Sequence, residues 1–223
     1  MYKQAFDRNE KARGSDDIST NFIRDSLAEM YRLQGKYGEA EALYRRYLDI
    51  YGNLPNAGLL RVSFVLTSLA ILYQEQMKYA EAEPLLKRSL DLRVQQYGQE
   101  HIATATGINN LAVLYREQGR YAEAEPLFKQ VIMICEKVSE PESQALGRGL
   151  WGLAKLYAAQ GHDSQAESLF KRATMILDKL QDDRLGIWLP DYAELLRKMK
   201  REQEAVQLET RAKEIRERTQ ENN

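Results

Sequence analysis

The chain has 223 residues, 43% of them hydrophobic and 29% charged, enough for one large domain or one repeat array, and its 32 basic and 33 acidic side chains leave a net charge of −1. So even a balance gives no overall field for a polyanion such as nucleic acid, and no apolar run approaches the roughly 18 residues that a bilayer span requires. The single cysteine, Cys135, rules out an internal disulfide, and the N-terminus MYKQAFDRNEKARG lacks the apolar core of a signal peptide, so the expected location is the cytoplasm.

The predicted elements follow from one phrase written five times: LAEMYRLQGKYGEAEALY from Leu27, LAILYQEQMKYAEAEPLL from Leu69, LAVLYREQGRYAEAEPLF from Leu111, LAKLYAAQGHDSQAESLF from Leu153 and YAELLRKMKREQEAVQLE from Tyr192. Successive copies are offset by 42, 42, 42 and 39 residues. In each, an apolar stripe at helical spacing (Leu111, Ala112 and Tyr115 in the third copy) precedes a glycine-bearing break and a second stripe (Ala124, Leu127, Phe128, Val131). Each copy is therefore a helical hairpin, and one hairpin cannot bury its stripe alone. In chain order, residues 1–13 align with the second helix of a repeat whose first helix is missing, which implies a fragment of a longer protein or an array cut mid-repeat. Repeats follow at 15–52, 58–98, 101–138, 143–180 and 185–220, the last crowding charge on its outside as a terminal cap does. The fold class is an all-α, right-handed α-solenoid, a single array of eleven helices with no strand.

The recurrence of L-A-x-x-Y, glycine, then Y-x-E-A-E-x-L-[YF] resembles the tetratricopeptide repeat, and the 42-residue period with NNLAVLY, Asn109 to Tyr115, is similar to the longer repeats of kinesin light chains. Ile102 stands where that family usually has a proline. The resemblance implies helix-turn-helix stacking and a concave groove lined by the first helices, but it names no ligand, because this repeat serves many unrelated partners.

Candidates for chemistry reduce to structure. Glu39, Glu81 and Glu123, with Glu41, Glu83 and Glu125, sit in the first turns of the second helices, where negative charge complements the helix dipole. His101 and His162 have no partner at ligand spacing, and Cys135 lies one turn past Val131 on the core stripe. No phosphate loop or catalytic motif is present. The expectation is a non-enzyme without metal or cofactor. Tyr31, Tyr73, Tyr115 and Tyr157 recur at one register and read as core. Pro84 and Pro126 are placed near the end of a first helical turn, where the missing donor costs least, Pro190 is expected to make its helix start late or kink, and Trp188 to plug the end of the core.

Opposite the stripe of each first helix lie the positions that vary between copies: Phe22, Asp25, Glu29 and Arg32; Phe64, Thr67, Ile71 and Gln74; Thr106, Asn109, Val113 and Arg116; Arg148, Trp151, Lys155 and Ala158; Ile187, Pro190, Glu194 and Arg197. The predicted peptide-binding set is Phe64, Thr67, Ile71, Asn109, Val113, Arg116, Arg148, Trp151 and Lys155. It suits an extended peptide with an apolar or aromatic anchor near Phe64 and Ile71 and an acidic flank near Arg148 and Lys155. A competing reading has Trp151 packed against the neighbouring repeat and the cations merely solvated. The resemblance does not extend to the two-carboxylate clamp of some family members, which needs a lysine and an asparagine in the first groove helix, where Asp25 and Glu29 stand here, so that activity is not expected. The leading function is a peptide-binding scaffold for protein partners, with no nucleic acid and no membrane insertion. The alternative is self-assembly, a homo-oligomer stacked through an open N-terminal end at Phe6.

Overall fold

The computed structural model describes residues 2–14, 18–52, 58–138 and 143–221. Among them are eleven α-helices and no strand: α1 Tyr2–Arg13, α2 Ile18–Leu33, α3 Tyr37–Tyr51, α4 Leu59–Glu75, α5 Tyr79–Tyr97, α6 Ile102–Glu117, α7 Tyr121–Lys137, α8 Gln144–Ala159, α9 Asp163–Lys179, α10 Leu185–Lys198 and α11 Glu202–Glu221. The chain divides into two units, Met1–Gln99 with α1 to α5 and Glu100–Asn223 with α6 to α11. In the first, α2 pairs with α3 and α4 with α5, while α1 packs on α2 and α3 on α4. In the second, the pairs are α6 with α7, α8 with α9 and α10 with α11, joined by α7 on α8, α6 on α8 and α9 on α10. The architecture is all-α, and within each unit tandem helix-turn-helix hairpins stack in sequence order as in a solenoid.

The stripes are the core. Leu27, Ala28, Leu69, Ala70, Leu111, Ala112, Leu153 and Ala154 are all buried, and Ala40, Ala82, Ala124 and Ala166 occupy the matching place on the second helices. Each hairpin turns through one left-handed residue, Gly35, Met77, Gly119, Gly161 or Lys200, and the following N–H reaches back to a first-helix carbonyl, as Lys78 does to Tyr73 and His162 to Tyr157, both at 2.8 Å. This is a Schellman closure, which satisfies carbonyls the helix end would otherwise strand.

The recurrent tyrosines and glutamates join neighbouring hairpins. The Tyr73 hydroxyl donates to Glu41 at 2.8 Å, and the Tyr157 hydroxyl to Glu125 at 2.9 Å. The same carboxylates take Arg45 and Lys129 at 2.7 Å, one helical turn on. The rings of Tyr73 and Tyr115 are buried as expected, whereas those of Tyr31 and Tyr157 are half-buried, and the hydroxyls of Tyr73 and Tyr157 are clasps, so the second glutamate of E-A-E holds the next repeat as well as facing its helix dipole.

Three glycines of α8 set how closely it approaches its neighbours. A Cβ on Gly152 would lie 2.2 Å from Phe128 Cε1, one on Gly149 2.7 Å from Val131 Cγ1, and one on Gly147 2.6 Å from Leu177 Cδ2. Both helices flanking α8 thus pack against its bare backbone.

The prolines differ from expectation. Pro84 and Pro126 are the sixth residues of α5 and α7, in the second turn rather than near the end of the first. Their missing N–H groups would have met the carbonyls of Ala80 and Ala122, which are exposed residues that water can serve. Pro190 is likewise the sixth residue of α10, which begins at Leu185, so that helix does not start late. The side chains of Phe6, on which the self-assembly alternative rests, and of Phe22 lie outside the described residues.

Candidate functional site

In the second unit the first helices of three successive hairpins converge on one cavity of about 380 Å³. Helix α6 contributes Asn109, Val113 and Arg116, spaced four and three residues apart and so on one face. From α8 come Arg148, Trp151, Gly152 and Lys155 by the same spacing, and from α10 Ile187, Trp188 and Asp191. Six of the nine sequence-predicted residues meet here.

Their environments differ. Trp151 is only 3% exposed, its ring edge-on to Phe170 at 4.7 Å and tilted against Trp188 at 5.7 Å, while its indole N–H donates to Asp191 Oδ2 at 3.1 Å. Lys155 Nζ donates to the other oxygen, Oδ1, at 3.0 Å. Asp191 therefore occupies the cation that the sequence assigned to a ligand's acid. The remaining polar groups are underused. Asn109, 7% exposed, has a buried Oδ1 without a hydrogen-bond partner, and the buried Nε of Arg148 is also without one. The nearest carboxylate to Arg116 is its sequence neighbour Glu117 at 3.7 Å. Burial pushes both guanidinium pKa values down from their ordinary range; at Arg148 the charge of Arg184 adds to this and Asp182 opposes it, and at Arg116 Glu117 and Asp191 oppose it. Asp182 is itself engaged by Arg184, whose Nε donates to it at 2.7 Å.

The first unit has its own cavity, about 490 Å³, between α2, α3 and α4. Phe64 and Ile71 open onto it, 59% and 39% exposed. Its charges are internally matched: Arg61 pairs with Asp25, and Arg32 with Glu29 at 2.5 Å and with Glu75. One oxygen of Asp25 is buried without a hydrogen-bond partner, and burial raises its pKa against the pull of Arg61 and Arg24. Thr67 joins neither cavity; its hydroxyl lies 2.9 Å from both the Ser63 carbonyl and Ser89 Oγ, a contact between α4 and α5.

Sequence reasoning missed Asp191 and gave Trp188 a different task. Trp188 lines the cavity and lies tilted against Trp151 rather than merely closing the core. The signal for Asp191 was present: it lies one helical turn after Ile187, a groove position, but the shortened spacing of the last copy put the register on Pro190 and Glu194.

Among the described residues, no group of three His, Cys, Asp or Glu could hold a metal, and no helix is long and apolar enough to cross a membrane. Cys135 is buried, and burial pushes its thiol pKa up. Tetratricopeptide repeat profiles match residues 24–57, 62–137 and 108–179. The chain belongs to the tetratricopeptide repeat family. Its fold is that of a protein-interaction scaffold. Among solved structures, this tetratricopeptide chain is similar to BtubC (BKLC) from P. vanneervenii, with a TM-score of 0.75 at 19% identity over 98% of this chain and 89% of that one. It is similar to a putative kinesin light chain of P. anserina with nearly identical TPR-like repeats, with a TM-score of 0.63 at 25% identity over 92% and 99%. It also resembles the apo form of RapI, with a TM-score of 0.68 at 14% identity over 99% and 90%. The likeness to BtubC and RapI is one of fold; that to the P. anserina repeats extends to sequence, and the chain is kinesin light chain-like. No curated protein matches the sequence.

Proposed function

We propose that this tetratricopeptide protein is a peptide-binding scaffold, and that the cavity of the second unit receives an extended peptide through an acidic group. The observation that carries the reading is a pair of buried polar atoms without partners, Arg148 Nε and Asn109 Oδ1, on two residues that line one cavity. Native proteins rarely leave such atoms unsatisfied, and each costs about 1–3 kcal/mol while it stays so. A peptide satisfies both, its carboxylate accepting from Arg148 and Arg116 and its backbone N–H donating to Asn109 Oδ1. Trp151, fixed by Asp191, gives the peptide a rigid wall, and Val113 and the exposed Ile187 give it apolar contact.

The acid goes to Arg148 and Arg116 rather than to Lys155, because Lys155 is already neutralised. The test is fluorescence anisotropy with a degenerate peptide library carrying a fixed central glutamate. Arg148→Ala should weaken binding at least about tenfold, the effect of losing one charge-assisted hydrogen bond, with little change in melting temperature. The controls Lys129→Ala and Lys171→Ala remove exposed cations that pair within their own helices and line neither cavity. Peptides that respond to these controls and ignore Arg148 would move the binding surface elsewhere.

A further inference from the structure

The charges around the second unit's cavity do not cancel one another. Lys155 is matched by Asp191, and Arg184 by Asp182, in direct ion pairs. That leaves Arg116 and Arg148. Among the described residues Arg148 has no carboxylate within 4.0 Å, and Arg116 has only Glu117, at 3.7 Å on the adjoining residue. Neither guanidinium makes a hydrogen bond among the described residues, although each carries five N–H donors. Two half-buried guanidiniums whose donors are unused offer more N–H groups than the two oxygens of one carboxylate can accept, and so call for a ligand group with more acceptor oxygens.

A carboxylate brings one charge and two oxygens. A phosphoryl ester brings about −1.5 to −2 at neutral pH and three acceptor oxygens, in a geometry that matches the fork of a guanidinium. Resting on the peptide reading above, we propose that the second unit's cavity recognises a phosphorylated side chain on its peptide, with Arg116 and Arg148 sharing the phosphoryl oxygens and Asn109 holding the adjoining backbone N–H. Asp191 has a part in this selectivity. By keeping Lys155 engaged, it confines the unmatched positive charge to the two arginines, which present a forked donor set that an ammonium does not. The cavity of about 380 Å³ has room for one phosphorylated side chain and its flanking backbone.

The experiment uses the full chain and three degenerate peptide libraries, identical except for a fixed central phosphoserine, glutamate or serine, read by anisotropy, with inorganic phosphate as competitor. The expected order is phosphoserine at least about tenfold tighter than glutamate, with serine weakest. Phosphoserine affinity should rise between about pH 5 and 7, as the phosphoryl group loses its second proton near pH 6, whereas glutamate affinity changes little over that range. Arg148→Lys keeps the charge and removes the fork. It should cost the phosphoserine library at least about fivefold and the glutamate library less, with unchanged melting. Glutamate binding as tightly as phosphoserine, with both sensitive to Arg148, overturns the phosphoryl assignment and leaves the acidic-peptide reading standing. If no library responds to Arg148, both fail. If inorganic phosphate competes as strongly as the phosphopeptides do, the cavity is an ion site and the peptide part is wrong.

Discussion

Replacing Gly152 by alanine tests the tightest of the glycine contacts in the second unit. On helix propensity alone the change should stabilise, since alanine is better than glycine in a helix interior by about 1 kcal/mol. Packing opposes it. The new Cβ would lie 2.2, 2.7 and 2.9 Å from Cε1, Cζ and Cδ1 of Phe128, a ring that is fully buried and cannot swing into solvent. Overpacking of a core costs about 1–3 kcal/mol and more where the backbone must shift; with three ring carbons inside 3 Å, the upper end applies. The net expectation is destabilisation by about 2 kcal/mol. The assay is urea unfolding followed by tryptophan fluorescence, which reports on this unit because both tryptophans, Trp151 and Trp188, lie in it. Gly38→Ala is the reference for propensity without packing: a Cβ there meets nothing within 4 Å, and by circular dichroism it should stabilise by about 0.5–1 kcal/mol. If Gly152→Ala raises the urea midpoint as an open-site alanine should, α8 does not approach α7 as described.

Met77 holds a left-handed turn at φ 58° that glycine fills in three other hairpins, so Met77→Gly should stabilise by about 1 kcal/mol in thermal or urea unfolding, and a loss of stability would show the turn to be unstrained. Glu167 accepts from Lys171 at 2.6 Å, which holds its carboxyl below the usual 4.5, and Arg201 at 2.6 Å acts the same way against burial. Its folded pKa is depressed, so the stability it contributes is present above pH 4.5 and is lost as pH falls through the depressed value; Glu167→Gln should flatten that part of the acid unfolding curve, and an unchanged curve would contradict the pairing. Tyr157→Phe removes the hydroxyl clasp to Glu125 and should cost about 1 kcal/mol, measured by urea unfolding, where no change would make the clasp incidental.

How much of this was legible in the sequence depended on whether the information repeats. Helices, turns and core stripes recur in five copies, so each position could be read several times. Where a copy broke the glycine rule, at Met77 or Lys200, the phrase on either side still fixed the turn. The clasp was half legible: the tyrosine and glutamate registers were both visible, yet their meeting needs a contact across 32 residues that neither helix announces alone. The α8 glycines were unreadable because a glycine inside a helix looks like a propensity defect until Phe128, Val131 and Leu177 are seen pressing on it.

The cavity was legible as a set of residues but not as a balance of charge. Counting cations along three first helices gave Arg116, Arg148 and Lys155 as equals, and only Asp191, on the copy whose spacing slips, makes them unequal. This asymmetry can be tested directly. Asp191→Asn keeps an acceptor for the Trp151 N–H while releasing Lys155, so the cavity gains one unmatched positive charge with its wall in place. Binding of the glutamate library should then tighten several-fold and become more sensitive to salt, and the preference for phosphoserine over glutamate should narrow, because an ammonium serves either anion. The melting temperature should move little, since an exposed ion pair contributes about 0–1 kcal/mol and this one, 37% and 31% exposed, lies near that case. If Asp191→Asn instead weakens every acidic peptide, Asp191 holds Trp151 and Lys155 in the geometry that binding requires, and the acid is shared by all three cations rather than by the two arginines.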